Sequence, residues 1–513
     1  MQRERYIGVD IGTTSTKAAM YDGSGALLAQ HHVEYPLYRP EVSAAEQDPE
    51  EIFQSVVTSV RATIEKSGVS NRQVGFVSFS SAMHTLIALD EEGYPLTKCI
   101  TWADSRSAKW ADRLRASPEG HEIYRRTGTP THPMLPLTKL MWLQEEYPET
   151  FQKAVKFVSI KEYVFYRLFE EYVIDYSIAS ATGLFELEKL AWDMEALVTA
   201  GITADQLSKP VPTTAILTGL SEMYADAMGL APDTPFIIGA SDGVLSNLGV
   251  NAIEPGTVAV TIGTSGAIRT AADRPITDPK GRTFCYVLTE DLWIIGGPVN
   301  NGGMTFKWLR DQLCSSEAES AIRIGVDPYK MLTDIASRVR PGSDGLLFHP
   351  YLSGERAPLW NAKARGSFFG LALHHQKEHL IRAVLEGVIF NLHSVMLTLE
   401  ELIGKPSRIQ ATGGFAQSGL WRQMLTDIFN QEVYVPESHE SSCLGAVILG
   451  LYAQGKIDSL QHASSMVGSV HHHTPNPENV KLYKELMSIF IRISRKLEEE
   501  YTAIADFQRK HVQ

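Results

Sequence analysis

The chain has 513 residues, with 47 Lys and Arg against 60 Asp and Glu, for a formal net charge of −13. At roughly 150 residues per domain this length asks for two large domains or three ordinary ones, and 44% hydrophobic with 21% charged residues is globular composition that excludes a disordered or collagen-like chain. The acidic balance excludes broad electrostatic binding to nucleic acid or an anionic membrane, so any anionic ligand must be held by local donors.

Tyr6–Asp10, Thr16–Tyr21 and Ala26–Val33 read as three strands, with Asp22-Gly23 turning between the second and third. Residues 23–29 spell a loose GxGxxA, but between two strands and without opening a helix, which makes a plain hairpin turn the better reading. A helix is predicted over Pro49–Lys66 from the spacing of Phe53, Val56, Val57, Val60 and Ile64. Val74–Ser80 is an apolar strand, followed by helices near 104–117, 138–147 and 160–170. Phe236–Ala240 and Thr257–Ile262 read as strands, with hairpin material up to Gly297. Helices near 302–314, 377–403 and 417–430 flank a strand at Arg408–Thr412, then come strand Glu432–Pro436, a Gly/Ala-rich helix over 441–453 and a closing helix over 479–505.

This alternation predicts α/β architecture with covered sheets. The best boundary lies in Asn251-Ala-Ile-Glu-Pro-Gly256, giving domains 1–252 and 253–513. Val9-Asp-Ile-Gly-Thr-Thr-Ser15 lines up with Val260-Thr-Ile-Gly-Thr-Ser-Gly266, which points to a duplication with one phosphate loop on each domain. Cys99, Cys285, Cys314 and Cys443 form no CxxC pair and fit incidental thiols of a reducing compartment. The N-terminus shows no apolar h-region, and apolar runs such as 445–453 are shorter than the ~18 residues of a membrane span. A soluble, cytoplasmic protein with no nucleic-acid or membrane partner is expected.

Asp10-Ile-Gly12-Thr13-Thr14-Ser15-Thr-Lys17 is the most informative segment. A tight glycine turn lets backbone N–H groups approach a polyphosphate, hydroxyls and a lysine add donors, and Asp10 could hold Mg²⁺ through water; a polar hairpin is the bland alternative. No GxxxxGK[ST] occurs. Gly263-Thr264-Ser265-Gly266 would be the second phosphate loop or a structural turn. Gly413-Gly414-Phe415-Ala416-Gln-Ser418 would pass close to adenine or make a strand-to-helix turn. Asp242, just after an apolar strand, suits the base that phosphoryl transfer needs at the accepting hydroxyl, though an isolated Asp-Gly is more often a turn.

Together these pieces resemble the FGGY carbohydrate kinase family of the actin, hexokinase and Hsp70 superfamily. Two further stretches match its patterns: Met134-Leu-Pro136-Leu-Thr-Lys139-Leu-Met-Trp142-Leu-Gln-Glu145-Glu146, and Gly366-Ser-Phe-Phe-Gly370-Leu371 with His379-Leu380-Ile-Arg-Ala383-Val-Leu-Glu386 seven residues on. The resemblance covers nearly the whole chain. It implies two ribonuclease-H-like domains with a cleft, and an enzyme that uses ATP and Mg²⁺ on a small sugar or sugar acid. By similarity Asp242 is the catalytic base and Asp10 positions the metal. Gly12, Thr13, Thr14, Ser15 and Lys17 meet the phosphates, Gly263 and Thr264 close on them, and Gly413, Gly414, Ala416 and Ser418 line the adenosine site, with Gln423 and Asp427 as weaker candidates.

Where the family places substrate contacts, the chain has Ser80-Ser81-Ala82-Met83-His84 and Thr101-Trp102-Ala103-Asp104-Ser105-Arg106. Trp102 offers an apolar wall and Asp104, Arg106 and His84 offer hydrogen bonds. Ser81, Met83, His84, Trp102, Asp104, Arg106 and Asp242 are therefore the expected sugar site. The wording of these segments, with His132-Pro-Met-Leu-Pro136 and Pro298-Val-Asn-Asn301, looks most like the gluconate branch of the family. Xylulose-specific members usually carry Gln where Ala82 stands, and Arg106 or His84 could meet a carboxylate. Phosphorylation of D-gluconate to 6-phospho-D-gluconate is the expectation, with a xylulokinase or other pentulose or polyol kinase as the alternative. A binding switch without phosphotransfer is a remote alternative, and a homodimer stays open. His471-His472-His473 reads as a surface loop before Thr474-Pro.

Overall fold

The computed structural model describes residues 4–436 and 440–511. The chain divides into two compact units. The first is built from the segment ending at Glu254, from Ala271–Ile295 and from Glu440–Gly468; the second takes Pro255–Thr270, the segment from Gly296 that ends before Glu440, and the C-terminal segment from Ser469.

The first unit is organised on six strands: β1 Arg5–Ile11, β2 Ser15–Tyr21, β3 Leu27–Glu34, β4 Val74–Ser81, β5 Ile216–Leu217 and β6 Phe236–Ser241, in sheet order β5-β6-β4-β1-β2-β3. β1, β4 and β6 run parallel, whereas β2 pairs antiparallel with both β1 and β3. The β2–β3 turn is a hairpin, as expected: the Asp22 carboxylate accepts the backbone N–H groups of Ser24 and Ala26. Helix Pro49–Ser67 begins at the Asp48 side-chain cap with Pro at its start and ends on Gly68 in the left-handed conformation. It buries Ile52, Phe53, Val56, Val60 and Ile64 against Ile7, Val9, Val77 and Phe79, each such side chain contributing about 1.5–3 kcal/mol of hydrophobic stabilisation.

Helix Ser441–Ala453 lies against β1 and against helix Asp242–Gly249 within the same unit. Glycine makes this approach achievable. A Cβ on Gly445 would sit 2.0 Å from the Leu245 carbonyl oxygen, one on Gly249 1.9 Å from that of Ser441, and one on Gly8 2.2 Å from that of Cys443.

The second unit repeats the hairpin pattern. Its strands β7 Thr257–Ile262, β8 Gly266–Ala272, β9 Arg408–Thr412, β10 Val433–Pro436 and β11 Ser469–His473 are ordered β8-β7-β9-β10-β11, with β7 antiparallel to β8 and parallel to β9. Thus β7, β8 and β9 pair as β1, β2 and β4 do, in line with the repeat read from the sequence. The three histidines 471–473 lie in edge strand β11 and not in a loop, because pairing with Val433–Pro436 supplies the extended conformation that their composition does not announce.

One long helix, Lys377–Ile403, is long and apolar enough to cross a membrane by length and composition, which the run-length reading of the sequence passed over. Most of it is buried within the fold. Its charged pair is fully satisfied: Arg382 Nε donates to Glu386 at 2.7 Å, and that carboxylate also takes the Tyr483 hydroxyl, the Gly342 N–H and the Ser343 hydroxyl. The closing helix is two helices, Pro477–Lys496 and Glu498–His511, parted at Leu497. The four cysteines are buried and unpaired.

Candidate active site

In the first unit, β1 ends at Ile11, one residue past Asp10, and β2 begins at Ser15, with Asp10 opposite Lys17 in register. The connecting turn is closed by a Gly12 N–H bond to the Ser15 carbonyl at 3.0 Å. Three side chains fix it from outside: Tyr35 Oη donates to the Gly12 carbonyl (2.6 Å), Gln47 Nε2 to the Thr13 carbonyl (2.6 Å), and Trp102 Nε1 to the Thr13 hydroxyl (2.9 Å). Carbonyls are thereby occupied on the inner side, while Gly12, Thr13 and Ser15 stay half-buried and Thr14 exposed. Such a turn can present donors to an anion. Lys17 is held by Glu440 at 2.5 Å; burial works against its charge, but the Glu440 bond and charge outweigh it and raise its pKa.

Asp10 accepts the Ser80 hydroxyl at 2.7 Å from β4. Burial first, and then the charge of Asp242, push its carboxyl up to about 6 against the Ser80 bond and Lys17. Asp242 opens helix Asp242–Gly249 directly after β6 and accepts the Gly243 N–H at 2.6 Å, where the helix N-terminus favours a carboxylate. Among the described residues no group of three His, Cys, Asp or Glu forms a metal cage. Mg²⁺ needs none, since it binds through one or two carboxylates and completes its shell with water and phosphate oxygens. Asp10, a carboxylate disfavoured by burial and by a like charge, fits that demand.

The expected sugar segments also lie in this unit. Ser81 is buried and donates to the Ala82 carbonyl, while Met83 is half-buried. His84 is buried with φ of 65°, a strained conformation for a residue with a Cβ. Its Nδ1 lies 2.7 Å from the Ala181 carbonyl and its Nε2 3.4 Å from the Tyr286 hydroxyl. Trp102 is half-buried. Asp104 accepts the Ala45 and Arg106 N–H groups, and Arg106 bonds Asp104 and Glu46 while its guanidinium stacks 4.6 Å from the Trp142 ring centroid. Asp104 and the Arg106 fork are therefore engaged in holding their own segment.

Lys139, within the Met134–Glu146 pattern, holds two of these segments together. Its ammonium, fully buried, donates to the carbonyls of His84 (2.6 Å) and Thr101 (2.8 Å), with Ile100 at 3.4 Å. Burial pulls it down to about 7, with Asp104 opposing; a neutral amine would leave one of the three carbonyls without a donor. A lysine among Leu137, Leu140, Met141 and Leu143 was the available signal.

In the second unit, Gly263 and Thr264 are exposed in the β7–β8 turn. Helix Gly303–Gln312 donates its first N–H groups back to this turn, Gly303 to the Gly263 carbonyl (2.7 Å) and Met304 to that of Thr264 (3.0 Å). Gly413 follows β9 with φ of 104°, where a Cβ would meet the Ile262 carbonyl at 2.2 Å. Gly414 is exposed, Ala416 buried, and Ser418 caps helix Gly419–Phe429 through the Trp421 N–H. Asp427 accepts from Gln423, Asn476 and Asn479, and Asn301 donates to Glu355 and the Gly354 carbonyl, so these residues hold the scaffold.

Residues 5–249 match the FGGY family of carbohydrate kinases, N-terminal domain, and residues 258–454 match the C-terminal domain of the same family. Over 505 residues the chain is 61% identical to a gluconokinase of Bacillus subtilis (strain 168), covering 98% of both proteins. The chain belongs to the FGGY family of carbohydrate kinases. Two solved FGGY-like structures from Lactobacillus acidophilus, a gluconate kinase and a ligand-bound xylulose kinase, are each 38% identical to it. They have TM-scores of 0.92 and 0.93 and cover 98% of this chain and 100% of theirs. The two ribonuclease-H-like domains expected of an FGGY kinase are thus the fold of this chain.

Proposed function

We propose that this kinase transfers the γ-phosphoryl group of ATP to the terminal hydroxyl of D-gluconate, giving 6-phospho-D-gluconate. The observation that carries the substrate is the 61% identity to a protein named gluconokinase. The solved structures do not choose between gluconate and xylulose, since both titles occur at 38% identity.

In this reading the Asp242 carboxylate takes the proton from the accepting hydroxyl as its oxygen bonds to the γ-phosphorus and the bond to the β–γ bridging oxygen breaks. In the first unit Thr13, Thr14, Ser15 and Lys17 receive phosphates; in the second, the exposed Gly263–Thr264 turn is a phosphate loop and Gly413, Gly414, Ala416 and Ser418 serve the adenosine. Asp10 would hold Mg²⁺, which when bound supplies charge neutralisation on the phosphates. Ser81, Met83, His84, Trp102, Asp104 and Arg106 shape the sugar side. With Arg106 and His84 both engaged by protein partners, their contribution is to form the walls of that side more than to clamp a carboxylate. The enzyme works in the cytoplasm, where ATP and its acceptor are available.

The test is ADP release with ATP and Mg²⁺ over gluconate, xylulose, ribulose, glycerol, fuculose and no acceptor, with Asp242→Asn alongside. Gluconate-dependent release reduced to a small residual rate in the variant is expected. Preference for a neutral sugar would refute the substrate, and an Asp242→Asn enzyme that keeps the wild-type kcat would refute the base.

A further inference from the structure

Strand β6 leads directly into Asp242, yet it is irregular. Its register with β4 shifts between Ile237 and Ala240, and Gly239 between them has φ of 71°, with a Cβ there meeting the Phe79 carbonyl at 1.7 Å. A shift of this kind takes carbonyls off the ladder, and a buried carbonyl needs another donor. Here the donor is a lysine. Lys161 Nζ lies 3.2 Å from the Ile238 carbonyl oxygen and 3.1 Å from that of Ala240, and 2.6 Å from Asp175 Oδ2, with side-chain exposures of 2% and 0% for the pair.

The arrangement continues through Asp175. Its other oxygen caps helix Tyr176–Ser180 by accepting the Ile178 N–H at 3.0 Å. That short helix presents Ser177, whose hydroxyl oxygen accepts the Ser241 N–H at 3.1 Å and whose hydroxyl donates to Ser241 Oγ at 3.0 Å. Four polar atoms of residues 238–241, the stretch leading into Asp242, are thereby held by one buried set of side chains.

A buried ion pair is weak evidence for stability, because an apolar pair of similar volume often does as well. What an apolar pair cannot do is donate to the two carbonyls that flank Gly239 in the irregular strand. We propose that Lys161, with Asp175 and Ser177, is a positioning residue that fixes the end of β6 and so the placement of the Asp242 carboxylate at the accepting hydroxyl. The proposal rests on Asp242 as the base.

Lys161→Met and Ser177→Ala, each alone and each combined with Asp242→Asn, test it in the full-length enzyme. Lys161→Met is expected to lower kcat about tenfold or more with KM for gluconate and for ATP within about twofold, and Ser177→Ala to lower kcat about threefold. In the Asp242→Asn background neither should reduce the residual rate by more than about twofold, because positioning a base that is absent has no value. Losses that multiply in the double variants, or a Lys161→Met enzyme with more than half the wild-type kcat, overturn the proposal. An Asp242→Asn single variant with wild-type kcat overturns the base reading itself, a result visible without the doubles. Should Lys161→Met not fold, Ser177→Ala and its double variant carry the same test.

Discussion

Replacing Lys139 by methionine keeps the volume of a side chain at the centre of the first unit and removes its donors. The His84 and Thr101 carbonyls lose bonds of 2.6 and 2.8 Å. A hydrogen bond from a charged group is worth about 1.5–3 kcal/mol, so the gross local loss is about 3–6 kcal/mol. Returning an ammonium to water recovers several kcal/mol of desolvation, which offsets much of this in overall stability. No such offset reaches His84, whose left-handed backbone stores on the order of 1–3 kcal/mol and whose carbonyl was its anchor. The segment 82–84 therefore relaxes, and a sugar bound against it as proposed above loses about 1.4–3 kcal/mol. That corresponds to a KM for gluconate raised roughly 10- to 100-fold. The Gly12–Ser15 turn keeps its bonds to Tyr35 and Gln47, so KM for ATP should stay within about threefold. An ADP-coupled assay on the folded variant, with melting measured alongside, reads both constants. A gluconate KM within twofold of wild type would refute the argument that this lysine holds the acceptor side.

Two further outcomes follow from packing and charge. Gly445→Ala places a Cβ 2.0 Å from a backbone oxygen that cannot step aside without moving helix Asp242–Gly249; a loss of about 2–4 kcal/mol in chemical denaturation with a reduced kcat is expected, and a loss under 0.5 kcal/mol would contradict the close helix contact. Glu162 is pushed up to about 7, by burial first and against its bonds to Ser159 and Ser208. Its folded pKa lies above the unfolded one, so its contribution to stability is full below about 4.3 and is lost as pH rises through about 7. Glu162→Gln should match wild type near pH 4 and exceed it at pH 8 by on the order of 3–4 kcal/mol; a constant difference across that range would refute the assignment.

Much of the scaffold was legible because its signals are local. The helix expected over 377–403 and the one starting at Pro49, with its apolar spacing through Ile64, both form where they were placed. Helices Pro118–Thr127 and Ser315–Arg323 escaped because they are short and polar and depend on neighbours for stability. The single closing helix was an overreach across Leu497, where apolar spacing continues although the backbone turns. At the candidate site, the residue types of the Asp10–Lys17 segment and of Asp242 could be recognised from turn chemistry and strand ends. What periodicity cannot show is which polar groups spend their bonds on each other. Arg106 with Glu46, Lys17 with Glu440, and Lys139 with three carbonyls are pairings between segments distant in the chain.

The return of Glu440–Gly468 to the first unit also sets a timetable. Helix Ser441–Ala453 covers β1, and Lys17 meets Glu440 across 423 positions of sequence. On the ribosome, the strand that carries Asp10 and the strand that leads into Asp242 emerge early, but the helix that covers them appears only after most of the second unit has been made. At roughly 5–20 residues per second that wait is on the order of ten seconds or more. Throughout it the nascent first unit lacks the helix that buries Tyr6, Phe76 and Leu248, surface of the kind that invites aggregation, and a chain cut before residue 440 cannot complete even its N-terminal half.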